Sequence, residues 1–148
     1  MAPIRDDLAE VRFAWRGEAG DDELATLTEA CGGVAERGRW DRIRSHSLGW
    51  VVARTPESAL IGFVNVAWDG GDHAFLIDTK VRPDHRRRGV GTELVRTAAR
   101  HAQKAGCEWL EVDFEEHLVP FYYQACEFRP TCAGLMHLPD MREDEHTA

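Results

Sequence analysis

The sequence contains very little lysine and no closely spaced cysteine pair. Only Lys80 and Lys104 occur among its 148 residues, so arginine supplies almost all of the positive charge. The four cysteines include no Cys-x-x-Cys pair, which argues against a zinc site. We therefore expect no bound metal, and we expect the cysteines to be small apolar side chains rather than disulfides.

Long apolar segments are also missing. No run approaches the roughly 20 residues that a membrane-spanning helix needs, and the first residues lack the apolar stretch of a secretory signal. We therefore expect a cytoplasmic protein without a membrane partner. The net charge of −8 disfavours nucleic acid as a partner, and it would attract a cationic substrate such as an amine.

The composition is that of a folded protein. Hydrophobic residues make up 43% and charged residues 30% of the chain, which is typical of a globular domain. The length predicts a single domain over residues 1–148. We expect a polar, frayed tail over residues 139–148. The oligomeric state stays open, a homodimer included.

Hydrophobic periodicity and turn residues predict a mixed α/β fold. Strands are predicted at residues 11–15, 50–54, 60–68, 74–81, 109–114 and 133–138. Helices are predicted at residues 21–30, 37–46, 89–105 and 118–126. A meander of strands followed by a strand–helix–strand crossover gives a mixed, mostly antiparallel twisted sheet with helices on both faces. We expect six to seven strands and about four helices.

The most informative segment joins the strand at residues 74–81 to the long helix that follows it. Three consecutive arginines at residues 86–88 precede Gly89 and Gly91 at the start of the helix. Backbone N–H groups at a helix N-terminus favour an anion, and arginine adds charge-assisted hydrogen bonds to phosphate. Glycine allows close approach of the backbone to a ligand. The segment therefore predicts a pyrophosphate site at the start of this helix.

The spacing of the glycines distinguishes between known phosphate-binding motifs. The sequence lacks Gly-x-x-x-x-Gly-Lys-Ser/Thr and Gly-x-Gly-x-x-Gly, the usual nucleotide motifs. It does contain Arg86-x-x-Gly89-x-Gly91. This pattern resembles the acetyl-CoA-binding motif of the GNAT superfamily of N-acetyltransferases.

A later segment supports the same resemblance, which covers roughly residues 48–138. Tyr123-x-x-x-Glu127-Phe128 is similar to the family pattern Tyr-x-x-x-Gly-Phe. Two positions depart from the family: Glu127 occupies the glycine position, and Glu116 lies where an asparagine is often found.

The resemblance implies the GNAT fold and acetyl-CoA as co-substrate. It implies that the strand ending at Val81 pairs with the pantetheine arm and polarises the thioester carbonyl through a backbone N–H. It also implies that the following loop and helix start hold the pyrophosphate. The cofactor-binding residues would be Val81, Arg86, Arg87, Arg88, Gly89, Val90, Gly91 and Thr92.

Two residues are the leading catalytic candidates. The resemblance makes Tyr123 the general acid, since a tyrosine with a pKa of about 10 keeps its proton at neutral pH; the adjacent Tyr122 is the alternative, since only one of the two can face the cofactor. Asp78 is the candidate base, because a carboxylate inside an apolar strand needs a partner or a role. Asp78 could instead pair with an arginine at the surface.

Other groups remain alternatives for the base and for the pocket. The alternative bases are Glu111, Asp113, Glu115, Glu116, His117 and an ordered water. Four aromatic residues could wall the acceptor pocket or belong to the core, namely Trp40, Trp50, Trp68 and Phe121.

The leading functional hypothesis is acetyl transfer from acetyl-CoA to the primary amine of a small molecule or protein, by direct attack in a ternary complex. The alternatives are transfer of a longer acyl group, a non-catalytic CoA-binding regulatory module, and a mononucleotide-binding domain. The sequence contains no acidic magnesium motif, which argues against the mononucleotide-binding domain.

Overall fold

The computed structural model describes residues 8–142 and contains one five-stranded sheet in the order β1-β2-β3-β4-β5. The strands are β1 (Arg12–Trp15), β2 (Ser47–Arg54), β3 (Leu60–Trp68), β4 (His73–Val81) and β5 (Trp109–Glu111). Strands β1 to β4 form an antiparallel meander. Strand β5 joins the edge of β4 in the parallel direction, which makes the sheet mixed as predicted.

Helices cover both faces of the sheet. They are α1 (Asp21–Ala30), α2 (Arg39–Ile43, extended by a 3-10 turn at Arg44–His46) and α3 (Val90–Lys104). After β5, a 3-10 turn (Glu116–Leu118) leads into a π-helix (Pro120–Ala125). No helix within the described part of the chain is long and apolar enough to span a bilayer.

The alternation of side chains along β3 divides the core into two layers. Val64 and Val66 face α3, where they meet the buried Leu94 of that helix. Phe63 faces α1 and α2 and packs with Trp40. Successive strand residues point to opposite faces of a sheet, so a nearly continuous apolar strand fills both layers.

The end of the sequence differs from the prediction. The strand expected at residues 133–138 is absent from the described structure, and residues 129–142 are all exposed. The sheet therefore has five strands rather than six or seven. Three features disfavour a further strand at the end of the chain. Pro130 has no N–H to donate to a β-ladder, Gly134 weakens a strand, and β5 offers an edge of only three residues. The strand predicted at residues 109–114 is shorter than expected and ends at Glu111. Residues 143–148 of the predicted tail lie outside the described residues.

A β-bulge interrupts β4 beside the predicted site. Ile77 pairs with Asn65 and Lys80 pairs with Phe63, so two residues of β4, Asp78 and Thr79, lie opposite one residue of β3. Asp78 takes the left-handed conformation, with φ of 63°. A bulge of this kind bends the strand and changes the direction of its side chains.

Candidate active site

Strands β4 and β5 pair at one end and then diverge. Their register joins His73–Phe75 to Trp109–Glu111 and goes no further. From Leu76 to Val81, no strand within residues 8–142 pairs with this side of β4. An unpaired strand edge can accept an extended ligand by main-chain hydrogen bonding. The C-terminal half of β4 therefore offers the open edge that the sequence predicted for a pantetheine arm.

The loop after β4 ends in an anion-binding helix start. Gly89 caps α3 with φ of 88°, a conformation that costs glycine little. The first backbone N–H bonded to the cap is that of Glu93, which donates to the Gly89 carbonyl at 3.1 Å. The N–H groups of Val90, Gly91 and Thr92 donate to no backbone carbonyl of the described residues. These groups lie at the positive end of the helix dipole, so the helix start fits a pyrophosphate.

The neighbouring arginines have different surroundings. Arg86 Nε donates to the Val81 carbonyl at 2.9 Å, so its side chain folds back and closes the loop. Arg82 forms a bidentate pair with Asp84, at 2.7 and 3.1 Å; this hydrogen bonding holds the pKa of Asp84 well below its usual range. Arg87 lies in the left-handed region with φ of 64°. Arg88 is exposed, as are Arg86 and Arg87.

Gly91 has a packing role that its motif did not reveal. A Cβ atom at this position would lie 3.1 Å from the ring of Phe121 and 3.6 Å from Val81 Cγ2. The absence of a side chain therefore lets the π-helix, the end of β4 and the first turn of α3 meet. Phe121 belongs to this contact rather than to an acceptor pocket.

The bulge holds Asp78 in an ion pair with Lys80. Lys80 Nζ lies 2.7 Å from Asp78 Oδ2 and 2.6 Å from the Thr28 hydroxyl of α1. The Asp78 side chain is 52% exposed, whereas that of Lys80 is 10% exposed. Asp78 is thus a surface-accessible carboxylate anchored by a nearly buried lysine. The second carboxylate oxygen of Asp78, Oδ1, makes no hydrogen bond to the described residues.

Asp78 and Lys80 both line a cleft of about 450 Å³ between the sheet and the first two helices. Its polar wall consists of Asp21, Thr28, Glu36, Arg39, Asn65, Asp78 and Lys80. Its apolar wall includes Leu24, Trp40, Ile43, Phe63 and Ile77. The cleft has the size and mixed lining of a small-molecule site.

Of the four aromatic residues predicted as pocket or core, Trp40 lines this cleft. It is 6% exposed and packs edge-on against Trp50 and Phe63, with centroids 5.0 Å away in both cases. Trp50 packs behind it in the core, and Trp68 is exposed at the end of β3. Within residues 8–142, the Trp40 indole nitrogen is the single enclosed side-chain polar atom without a hydrogen-bond partner.

The two tyrosines of the π-helix have different environments. Tyr122 is buried and stacks on Phe114 with centroids 4.5 Å apart. Burial raises the pKa of Tyr122, and hydrogen bonding to the Thr79 side chain acts in the opposite direction. Tyr123 is half-buried and meets the same Phe114 ring edge-on at 5.3 Å.

Residue 127, just after the π-helix, adopts a backbone conformation that favours glycine. This accounts for the glycine at that position in the family pattern. Glu127 has φ of 65°, in the left-handed region that disfavours residues with a Cβ. The Phe128 N–H reaches back to the Tyr122 carbonyl at 2.9 Å. This chain therefore keeps the backbone turn while placing a glutamate where glycine would be unstrained.

The alternative bases are less well placed. Glu111 Oε1 lies 2.7 Å from His73 Nδ1 across the β4–β5 pair. His117 is exposed and lies 3.4 Å from Glu115. Asp113 and Glu116 are exposed. None of these side chains lines the cleft that contains Asp78.

Two cleft residues were missed from the sequence. Lys80 anchors Asp78, and the buried Asn65 lines the cleft. Both are polar residues inside apolar strands, the same signal that identified Asp78. That signal could have found them had it been applied to every strand.

Comparison with known proteins agrees with this geometry. Residues 8–128 match the Acetyltransferase (GNAT) family. The chain belongs to the GNAT acetyltransferase family. The match spans all five strands and the candidate site, and it confirms the family that the Arg86-x-x-Gly89-x-Gly91 motif indicated.

Solved structures confirm the GNAT fold. A GNAT-family acetyltransferase from Streptococcus pneumoniae is 22% identical, with a TM-score of 0.73 over 86% of this chain and 96% of that one. AAC(6′)-Iy, solved with a bisubstrate analog of CoA, is 19% identical, with a TM-score of 0.69 over 87% and 97%. Glucosamine-6-phosphate N-acetyltransferase from Arabidopsis thaliana is 16% identical, with a TM-score of 0.64 over 85% and 98%. No curated protein matches the sequence.

Proposed function

We propose that this GNAT protein transfers an acetyl group from acetyl-CoA to a primary amine by direct attack within a ternary complex. The observation that carries the proposal is the continuity of three features. The open edge of β4 runs from the bulge at Asp78, which lines the cleft beneath α1 and α2, to Val81, which lies beside the start of α3.

The co-substrate would lie along the open edge of β4 and the start of α3. Acetyl-CoA supplies the activated acetyl group when bound. The N–H groups of Val90, Gly91 and Thr92 would hold its pyrophosphate, with Arg88 adding charge from the exposed side. The backbone near Val81 would orient the thioester.

Two side chains would move protons. Asp78 Oδ1 makes no hydrogen bond to the described residues and would accept the proton of the attacking amine, while Lys80 holds Oδ2. Tyr123 would act as the general acid that protonates the departing thiolate.

The structural relatives support an amine as acceptor. One is named as an N-acetyltransferase of glucosamine 6-phosphate, and another was solved with an analog that joins CoA to an acetylated neamine. Both names describe chemistry at nitrogen. The acidic net charge of −8 agrees with attraction of a cationic amine.

A non-catalytic CoA-binding module is the second candidate function, favoured by Glu116 and Glu127 at positions that depart from the family. Glu127 nevertheless adopts the left-handed turn expected of a glycine. The departure at this position therefore strains the backbone locally and leaves the position of Tyr123 intact.

A CoA-release screen across amine classes tests the proposal. Thiol reagents would also report Cys132, which is exposed, so release is best followed by chromatography or in Cys132→Ser. Turnover with at least one amine class is the expected result. Acetyl-CoA binding by calorimetry without turnover on any amine would instead support the non-catalytic module.

A further inference from the structure

The cleft beside Asp78 contains a buried amide whose NH2 group has no partner among the described residues. Asn65 is 3% exposed in the middle of β3. Its Oδ1 accepts a hydrogen bond from the Ser47 hydroxyl at 2.6 Å. The Ser47 hydroxyl also lies 3.4 Å from the Ile43 carbonyl, and its single hydrogen goes to the nearer oxygen. The NH2 group of Asn65 donates to no described residue.

This NH2 group is accessible from the cleft. Among the residues described, the indole nitrogen of Trp40 is the one enclosed side-chain polar atom without a partner. The amide nitrogen of Asn65 also has no partner and is therefore not enclosed. Because Asn65 lines the cleft, its two N–H donors face that space.

Lys80 adds a donor on the same wall. Two of its N–H groups go to Thr28 and Asp78, and its Nζ lies 5.7 Å from the centroid of the Phe63 ring. An ammonium group has three N–H donors, and the third has no oxygen acceptor among the described residues. Phe63 is paired with Lys80 and lies two residues from Asn65, so both donors lie on the same face of the sheet.

Apart from Asp78 Oδ1, which the proposed function assigns to the attacking amine, the side-chain oxygens next to these donors are engaged. The Thr28 oxygen accepts from Lys80, and the Thr28 hydroxyl donates to the Leu24 carbonyl at 2.9 Å. Glu36 pairs with Arg39 and Arg42 at the rim. The inner wall therefore retains unused donors, and a buried donor without a partner costs about 1–3 kcal/mol. A ligand that fills the cleft must bring acceptor oxygens to offset this cost.

We infer that the acceptor substrate is an amine that also carries an oxygen acceptor, either a hydroxyl or a carboxylate, which binds Asn65 and Lys80. This inference rests on the proposed function. The favoured classes are amino alcohols, amino sugars and amino acids. Simple alkylamines and polyamines would leave the donors unsatisfied, and polyamines would add a like charge beside Lys80.

A matched set of five-carbon amines tests the inference. The compounds are pentylamine, 5-amino-1-pentanol, 5-aminopentanoate and 1,5-diaminopentane. We expect kcat/KM for the alcohol or the carboxylate to exceed that of pentylamine and of the diamine by at least about tenfold, because a site built to hydrogen-bond a polar group discriminates against analogues that lack it. A further preference for the carboxylate over the alcohol would show that the charge of Lys80 contributes.

The variant Asn65→Asp separates the amide donors from the rest of the wall. It keeps the volume and the acceptor for Ser47 and removes both N–H donors. The preference for the oxygen-bearing amines should fall at least about tenfold. Lys80→Met, which keeps most of the stem, is a second variant in case Asn65→Asp fails to fold. Thr97→Val is the control, since Thr97 is a buried polar residue of α3 on the other face of the sheet; it should leave the preference unchanged.

The outcomes distinguish this inference from the proposed function. Equal rates with pentylamine and with both oxygen-bearing amines, or a preference that survives both variants, would overturn the inference and leave acetyl transfer intact. If none of the four amines is acetylated, calorimetry with CoA-saturated protein decides. Binding of the oxygen-bearing amines alone would support the inference and contradict transfer, whereas equal binding or no binding would overturn the inference.

Discussion

Asp78 and Lys80 lie on either side of Thr79 in the β4 bulge, and their side chains form a 2.7 Å ion pair. Lys80 is held in turn by Thr28 of α1. The bulge thus fixes one carboxylate oxygen of Asp78 and leaves the other free beside the cleft. A base positioned in this way does not need to lose a hydrogen bond before it accepts a proton.

Asp78→Asn should lower kcat by about 100-fold, the typical contribution of one positioned base. Asparagine tolerates the left-handed conformation that Asp78 adopts, so the variant should fold with little loss of stability. Steady-state kinetics and thermal unfolding check both statements. Asp113→Asn is the matched control, because Asp113 is exposed and lies outside the cleft. Full activity in Asp78→Asn would assign the base to water.

Glu127→Gly should stabilise the protein by about 0.5–1 kcal/mol. The substitution removes the strain of a left-handed residue, which amounts to about 1–2 kcal/mol, and this gain is partly offset by the greater freedom of glycine in the unfolded chain. Denaturant unfolding measures the difference. Glu127→Ala is the control, because it removes the carboxylate and keeps the Cβ, so it should not stabilise. A gain in Glu127→Ala equal to that in Glu127→Gly would attribute the effect to charge instead.

Local patterns predicted much of the fold. Helix α1 and strand β3 have the predicted bounds, since the acidic first turn and the apolar run that define them are adjacent in sequence. The motif likewise located the Gly89 cap and the start of α3. The predicted strand at residues 133–138 was wrong because apolar composition alone does not create a neighbouring edge.

The cleft could not be predicted from the sequence, because it is formed by contacts between distant parts of the chain. Thr28 and Lys80 are 52 residues apart, and Ser47 and Asn65 are 18 apart. No motif joins these pairs in the sequence. The left-handed φ of Asp78 was equally hidden, because it arises from a register shift between β3 and β4. Sequence reasoning therefore identified Asp78 as unusual without its partner or its geometry.

Gly89→Ala should weaken acetyl-CoA binding by more than about tenfold, which corresponds to about 1.4 kcal/mol. Gly89 has φ of 88° and its Cβ would lie 3.2 Å from Leu8 Cδ1, so alanine would shift the cap that orients the free N–H groups. Calorimetry measures the affinity. Gly106→Ala is the control, because Gly106 has a similar φ of 94° at the other end of α3, with nothing within 4 Å of its Cβ position. Equal affinity losses in both variants would contradict a specific role for the Gly89 cap.

The pair between His73 and Glu111 should make stability depend on pH. The hydrogen bond to Glu111 raises the pKa of His73 above its ordinary value of 6.5. The stabilisation is therefore complete below about pH 6.5 and is lost as the pH rises through the folded-state pKa. The difference in unfolding free energy between the wild type and His73→Gln should be larger at about pH 5.5 than at about pH 8.5. Glu111→Gln should show the same trend, and a difference independent of pH would refute the pair.

Tyr123→Phe should lower kcat by about 100-fold with little change in the Michaelis constant for acetyl-CoA, because a general acid acts in the transition state rather than in ground-state binding. The ring contact with Phe114 survives the substitution, so folding should be unaffected. Tyr122→Phe is the control, since Tyr122 is buried and stacks on Phe114. It should keep most of its activity. Equal losses of kcat in both variants would show that the π-helix acts only by holding β4 in place.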